Sequence, residues 1–248
     1  MRSIALYNLK GGVGKTAASV NLAYLAAAHG IETLLWDLDP QGASSWYFHG
    51  ESGDQKARKV FEGGTPVGRL VKPSPYRHLS LIPADLSYRY LDIILKKVEP
   101  PREALKRLLK PFSEQYALTV LDCPPSLSYL ADSVFAAADR VLVPMVPTWL
   151  SLRALEQVQA YFKAEGFDPK KIRPFYSMAD RRRALHRELL ESPPAAMARR
   201  YPAVIPYASA VERMGEHRAP LAAYAGSEDP ALLAYAELWL ELKKDLGL

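Results

Sequence analysis

The 248-residue chain carries 32 Lys and Arg against 27 Asp and Glu, a formal net charge of +5, with 49% hydrophobic and 24% charged residues. That profile excludes an intrinsically disordered chain and leaves room for one large α/β domain or two small ones; its modest basicity permits a polyanionic partner without requiring one. The single cysteine, Cys123, excludes an intrachain disulfide framework and a metal site built from several cysteines of the chain, and no apolar run approaches the ~18–20 residues of a membrane span.

Ser3 to Tyr7 is a short apolar run that leads into glycines, not into the apolar core of a signal peptide, so it reads as a buried strand of a cytoplasmic protein. Lys15 to His29, rich in Ala and Leu, reads as a helix closed by Gly30, and Glu32 to Trp36 as the next strand. Gly50 to Pro75 mixes glycine, proline and charge and reads as a surface insertion. Strands are expected at Leu79 to Ile82, Tyr116 to Leu121, Arg140 to Val146, Ile172 to Ser177 and Val204-Ile205. Helices are expected at Asp85 to Lys97, Arg102 to Glu114, Leu150 to Glu165 and Asp229 to Leu246. This alternation predicts an α/β, three-layer fold with a mainly parallel sheet flanked by helices, as a single domain over 1–248. With a strand starting at Ser3, an N-terminal helix-turn-helix is not expected.

The chemistry concentrates first at Lys10-Gly11-Gly12-Val13-Gly14-Lys15-Thr16, between a predicted strand and a predicted helix. Glycines let backbone N–H groups turn inward around an anion, and the helix N-terminus adds its positive dipole end. A plain helix-capping turn needs neither two lysines flanking the glycines nor a threonine after the second. Lys10 to Ala17 is therefore the expected phosphate cradle, with Lys15 reaching the β- and γ-phosphates and the Thr16 hydroxyl available to Mg²⁺. The usual first glycine of such a loop is replaced by Leu9, and Lys10 follows at once.

Two carboxylate stations follow. Asp37-Leu38-Asp39-Pro40-Gln41-Gly42 ends the second strand, and alternation puts Asp37 and Asp39 on one face. Leu118 to Leu121 is an apolar strand ending at Asp122, with Cys123 a small buried side chain and Pro124-Pro125 stiffening the exit. His29, His49, His78, His186 and His217 show no metal-ligand spacing and read as surface residues.

The Lys10–Thr16 motif, with Asp37-Leu38-Asp39-Pro40-Gln41-Gly42 and the Asp122 strand, resembles the deviant Walker A motif and the switch segments of the ParA/MinD family, on its Soj-like ParA branch. The resemblance implies a P-loop ATPase using ATP and Mg²⁺, in which two subunits form an ATP-dependent sandwich dimer and Lys10 reaches the phosphates bound by the other subunit. It assigns Lys10, Lys15 and Asp39 to hydrolysis, with Asp39 positioning the attacking water, and Thr16, Asp39 and Asp122 to Mg²⁺; Asp37 supports. Met178 lies in a stretch that resembles a strand-end segment near the base, and Pro206 in one that resembles an Ile-Pro element whose backbone reads adenine, which implies adenine contacts at both. The implied role is partition of DNA or positioning of a cargo over the nucleoid, with nonspecific DNA and a ParB-like activator as partners and no membrane.

The chain departs from that pattern where the family places arginines for DNA. Tyr207-Ala208 follow Ile205-Pro206, and Gly226-Ser227-Glu228-Asp229 precede the last helix. Basic residues instead gather at Lys170, Lys171 and Arg173, at Arg181, Arg182, Arg183 and Arg187, and at Arg199 and Arg200. These form either a solvated face or a relocated phosphate-binding patch. The closing helix carries Leu233 and Leu240 on an apolar side, but Glu237, Glu241 and Asp245 offset Lys243 and Lys244, which favours packing on the sheet over an anionic membrane. The rival readings are a MinD-like membrane-cycling ATPase, a nucleotide-dependent metabolic enzyme, and a module that holds ATP with little hydrolysis. An iron-protein reductase would need bridging cysteines, and an amide-forming synthase a substrate-carboxylate site that the sequence does not display.

Overall fold

Each long apolar run in this chain serves two cores at once. In β1 (Arg2–Leu6) and just beyond it, Ala5 and Tyr7 pack into one hydrophobic cluster and Ile4 and Leu6 into another. In β2 (Thr33–Asp37), Leu34 and Trp36 take the first and Leu35 the second. That is the period-two alternation of strands buried on both faces, and it explains why the runs read as continuously apolar. The computed structural model describes residues 1–48 and 56–248. Its remaining strands are β3 (Lys72–Pro73), β4 (Leu79–Ile82), β5 (Leu118–Asp122), β6 (Arg140–Met145), β7 (Ile172–Ala179) and β8 (Val204–Pro206).

The strands lie in the order β3-β4-β2-β5-β1-β6-β7-β8. All described pairings are parallel except β3 with β4. β1 sits between β5 and β6, where the direction of strand succession reverses, so the loop leaving β1 opens at a switch point on the carboxyl edge. The helices are α1 (Lys15–Ala28), α2 (Ala43–Tyr47), α3 (Lys56–Phe61), α4 (Leu91–Leu95), α5 (Ala104–Leu109) and α6 (Tyr129–Ala137). They continue with α7 (Trp149–Ala164), α8 (Ala184–Glu191), α9 (Ser209–Glu212), α10 (Met214–His217) and α11 (Pro230–Leu246). α1 and α11 cover one face through Val20, Leu22, Leu238, Trp239 and Leu242; α4 to α7 cover the other through Leu95, Leu105, Phe135, Leu155 and Phe162. The three-layer expectation holds.

Several local expectations change. The helical pattern at Asp85 to Lys97 divides into a 3₁₀ turn, Leu86–Tyr90, and α4. Pro101 and Pro111 confine the next helix to α5, flanked by 3₁₀ turns. α2, α3, α6, α8, α9, α10 and β3 lie outside the expected elements. His49 and Gly50 to Gln55 lie outside the described residues. The rest of the supposed surface insertion is not superficial: Val60, Phe61, Val67 and Leu70 are buried in the first core. The histidine expectation fails at His186, which is buried; its Nδ1 accepts from the Asp180 N–H at 3.0 Å.

The end of the chain is locked to the sheet. Asp229 caps α11 by accepting from the N–H groups of Ala231 and Leu232, with Pro230 at the first helical position. Tyr235, Leu238, Trp239, Leu242 and Leu246 form the buried side of α11, whereas Leu233 and Leu240, expected on it, are exposed. The Asp245 carboxylate accepts from Arg140 Nε at 2.8 Å, from the Tyr201 hydroxyl at 2.8 Å and from Arg173 Nε at 3.0 Å. It thereby ties α11 to the beginnings of β6 and β7 and to the approach to β8. The Arg140 hydrogen bond is the main reason the Asp245 carboxyl is held well below its ordinary range. A depressed folded pKa gives stabilisation that is complete above about pH 4 and fades as the pH falls toward the folded value. Asp245→Asn is expected to cost on the order of 1–2 kcal/mol at pH 7, discounted for the partial exposure of the cluster, with the difference from wild type shrinking below about pH 4. Urea unfolding across that range checks this, and a difference independent of pH would contradict it.

Candidate nucleotide site

The loop between β1 and α1 is held from below by Asn8, whose side chain is fully buried. Its Nδ2 donates to the Pro144 carbonyl at 2.8 Å and its Oδ1 accepts from the Lys10 N–H at 2.9 Å, so β6 fixes the height of the loop. Gly12 (φ 69°) and Gly14 (φ 92°) occupy the left-handed region that glycine tolerates. Gly14 has a second reason to be glycine: a Cβ there would lie 2.7 Å from the Ser177 Oγ on β7. Lys15 is buried at the start of α1, and its Nζ donates to the carbonyls of Lys10 at 2.8 Å and Asn8 at 3.3 Å. Burial lowers its pKa, with the Asp122 carboxylate pulling the other way. The ammonium is thus parked against loop carbonyls within the cradle it would serve.

Beneath the loop, Asp37 and Asp122 stand in register on the adjacent parallel strands β2 and β5. Asp37 accepts from the Ser45 N–H at 2.8 Å, the Ser45 hydroxyl at 2.7 Å and the Asp39 N–H at 3.2 Å. Asp122 is equally buried, yet neither of its oxygens has a hydrogen-bond partner, and the neighbouring Ser44 Oγ is also buried without one. The hydroxyls of Thr16, Ser44 and Ser19 lie close enough to moderate the Asp122 carboxyl, but burial, followed by the charge of Asp37, lifts it to about 7. Of the two coupled carboxyls, the one without donors is the natural holder of a shared proton. An orphaned buried carboxylate beside a threonine at a phosphate cradle fits a divalent cation. Among the described residues no group of three His, Cys, Asp or Glu side chains converges on a metal point. Such a cation would therefore rely on Thr16, phosphate oxygens and water, with Asp122 behind them, as a magnesium ion commonly does.

Asp39 lies past the end of β2 in a tight turn, half-buried, with its Oδ1 accepting from the Gln41 N–H at 2.9 Å and its carbonyl from the Gly42 N–H at 2.9 Å. Asp37 and Asp39 thus serve different structures: one is fixed inside the core, the other closes the turn beyond β2. Cys123 is buried, and burial pushes its thiol well above the ordinary range, which removes it as a nucleophile. Met178 has φ 55° beside an irregularity in the β7–β8 ladder, and Pro206 pairs with Ala179 at the end of β8. Both stand at the carboxyl edge, on the side of the sheet away from Asp122. Asn8, Ser44, Ser45 and Ser177 were not singled out in the sequence; their small polar side chains carry no spacing pattern, and only the folded contacts reveal them.

The basic residues divide between opposite edges. Arg181, Arg182, Arg183 and Arg187 follow β7 on the carboxyl edge, where Arg182 Nε pairs with Asp180 Oδ1 at 2.9 Å and holds that carboxyl down at about 2. Lys170, Lys171, Arg199 and Arg200 precede β7 or β8 at the other edge and Arg173 stands at the start of β7, with Arg173 engaged by Asp245 and Lys171 donating to the Phe135 carbonyl. A single basic patch spanning all of them is not what the fold builds.

Asp122 supplies a test. A raised folded pKa means that ionisation opposes folding: the penalty is absent below about pH 4, grows through the interval up to about pH 7, and is complete above it. Nucleotide-free Asp122→Asn is expected to melt several degrees above wild type at pH 8, with a gain that shrinks toward pH 5, and to lose the Mg²⁺ dependence of nucleotide affinity. Differential scanning fluorimetry and titrations with and without Mg²⁺ measure both; a variant less stable than wild type at pH 8 would count against the orphaned charge.

A family model described as an AAA domain matches residues 1–165. The sporulation initiation inhibitor protein Soj of Bacillus subtilis is 30% identical over 251 residues, covering 98% of this chain and 97% of that protein. The chromosome partitioning protein ParA of Myxococcus xanthus is 34% identical over 160 residues, covering 63% of this chain and 56% of its own length, so there the match spans little more than half of the relative. Among solved structures, a putative plasmid partition protein of Borrelia burgdorferi bound to AMPPNP has a TM-score of 0.82 at 21% identity, over 98% of this chain and 99% of that one, a likeness of fold. The match to Soj runs through all the stations described above and on to the last helix: the chain belongs to the ParA/MinD family of P-loop ATPases.

Proposed function

We propose that the chain is an ATP-dependent switch of the ParA type, which binds ATP with Mg²⁺, dimerises, and releases the dimer on slow hydrolysis. The observation that carries this reading is the orphaned Asp122 carboxylate set beside Thr16 beneath a loop whose Lys15 already rests among its carbonyls. In this reading the amides of Lys10 to Ala17 cradle the phosphates, Lys15 neutralises charge developing on them, and Thr16 and Asp122 serve the cation. Asp39 orients the attacking water, and Met178 and Pro206 border the base. Lys10 acts on the nucleotide of a second copy. The relationship to Soj, and the retention of both lysines, support it.

The cellular role we propose is DNA partition or the positioning of a cargo over the nucleoid in the cytoplasm, with hydrolysis stimulated by a ParB-like partner. Among the described residues no helix is long and apolar enough to cross a membrane, and α11, the segment a membrane-cycling relative would use, is spent on the second core. Arg181, Arg182, Arg183 and Arg187 are the DNA-facing group we favour, because they share the carboxyl edge with the nucleotide loop, where dimerisation would bring two copies together. Arg199 and Arg200, on the other edge, would at most add to a second contact.

ATP turnover with and without duplex DNA, together with size-exclusion chromatography in ATP and in ADP, tests the reading; a monomer in ATP with no turnover would defeat it. Lys10→Ala is expected to keep Mg-ADP affinity within about twofold while abolishing the ATP-dependent dimer and lowering turnover by about a thousandfold or more, the order of effect of a cation supplied in trans. Lys15→Ala is expected to lose nucleotide binding itself. Replacing Arg181, Arg182 and Arg183 by Ala is expected to weaken ATP-dependent DNA binding and flatten its salt dependence by about two to three phosphate contacts. Unchanged affinity at low salt would remove these arginines from the DNA surface.

A further inference from the structure

Arg218 adopts φ 47° and ψ 48° at the end of the short helix α10, a left-handed conformation where glycine would sit without strain. Its side chain gives the position a purpose. The guanidinium carbon lies 3.8 Å from the centroid of the Trp46 indole, and Nε donates to the Trp46 carbonyl at 3.2 Å. Trp46 is 52% exposed, so the stacked cation shields part of an indole that the core does not take. The carbonyl of Trp46 lies in the last turn of α2, where backbone acceptors lack intrahelical partners and a cation is favoured.

Both ends of this contact are fixed to the nucleotide site. Ser45, next to Trp46, donates its N–H and its hydroxyl to Asp37, and Ser44 faces Asp122. Gly42 caps α2, directly after the turn that holds Asp39. On the other side, the loop bearing Arg218 is docked on the phosphate helix α1 by Asn21, a buried side chain whose Oδ1 accepts from the Leu221 N–H at 2.9 Å and whose Nδ2 meets the Met214 sulfur at 3.4 Å. The loop has internal support of its own, from the Arg213–Glu216 ion pair and the stacking of His217 on Tyr224. Arg218 is thus the outer link between the helix that begins at the phosphate loop and the helix that ends the Asp39 turn.

We propose that Arg218 is a positioning residue for ATP hydrolysis: by clamping Trp46 it holds α2 against the loop docked on α1, and so fixes the Asp39 turn relative to the phosphate cradle. The turnover part of the inference rests on the ATPase reading above, while the clamp itself rests on the geometry. Glycine relieves the backbone conformation, so Arg218→Gly in the full chain separates the two roles of the residue. With Arg218 as a mere turn residue, this variant melts at or above the wild-type temperature and turns over ATP as wild type does.

With Arg218 as a clamp, Arg218→Gly keeps its melting temperature, its KM for ATP stays within about twofold, kcat falls about tenfold, and the amides of Trp46 to Phe48 exchange with solvent about tenfold faster in the nucleotide-free protein, the scale of a lost cation–π contact. Arg218→Lys keeps the charge without the planar face and is expected to restore little; Trp46→Leu should reproduce the loss, with the double variant no worse than either single one. Wild-type exchange at α2 in Arg218→Gly overturns the clamp. Faster exchange with unchanged kcat overturns the positioning role. A wild-type protein that does not hydrolyse ATP defeats the ATPase reading instead, and the exchange measurement then decides the clamp by itself.

Discussion

Two carboxylates placed side by side in the core of a parallel sheet are the constraint around which this molecule is organised. Asp37 and Asp122 are in register on β2 and β5, both buried, and repulsion between two such charges must be answered. The fold answers it unequally. Asp37 receives three donors, two of them from Ser45, and that requirement sets where α2 begins and how the Asp39 turn is closed. Asp122 receives none, and the imbalance becomes a demand for positive charge at one point below the loop. The fold therefore carries the cost of this buried carboxyl, and a cation held there, as proposed above, would relieve it.

The same reasoning joins the loop to the far side of the sheet. Asn8 hangs the loop from β6, and Ser177 of β7 sits where a side chain on Gly14 would go. β1, at the reversal of strand order, has neighbours on both sides that shape the cradle: β5 brings the acid, β6 the carbonyl that holds Asn8. The glycines alone would permit many loop conformations; these neighbours choose one.

Much of the layered architecture could be read from the chain because strands buried on both faces are continuously apolar and helices between them are not. The loop and the two acids were legible for a different reason: anion cradles and strand-end carboxylates need particular residue types at fixed spacing. What escaped reading depends on contact, not on spacing. α6 follows two prolines that read as loop, although Leu130, Val134 and Phe135 repeat at helical intervals. The stretch after Gln55 looked superficial because its glycines and charges outnumber Val60, Phe61, Val67 and Leu70, which nonetheless reach the core. Leu233 and Leu240 looked like the packing side of α11 until Tyr235, Leu238 and Trp239 took that place. The arginines read as one cluster in sequence because proximity along the chain does not say that most of β7, about 20 Å of strand, lies between Arg173 and Arg181.

The ion cluster at Asp245 has a consequence for how the chain comes into being. Arg140, Arg173 and Tyr201 begin or approach three neighbouring strands, and the acid they share lies in the last turn of α11, 44 residues beyond Tyr201. A ribosome makes the chain in order, so these three partners emerge long before the carboxylate that unites them, and the second core waits for Leu238, Trp239 and Leu242 over the same interval. Until the last helix leaves the exit tunnel, the outer side of α1 lacks its cover. The nucleotide loop is synthesised well before α11, yet the helix it opens is sealed only once α11 is in place, so a product truncated before α11 would carry the phosphate motif on an incompletely packed frame.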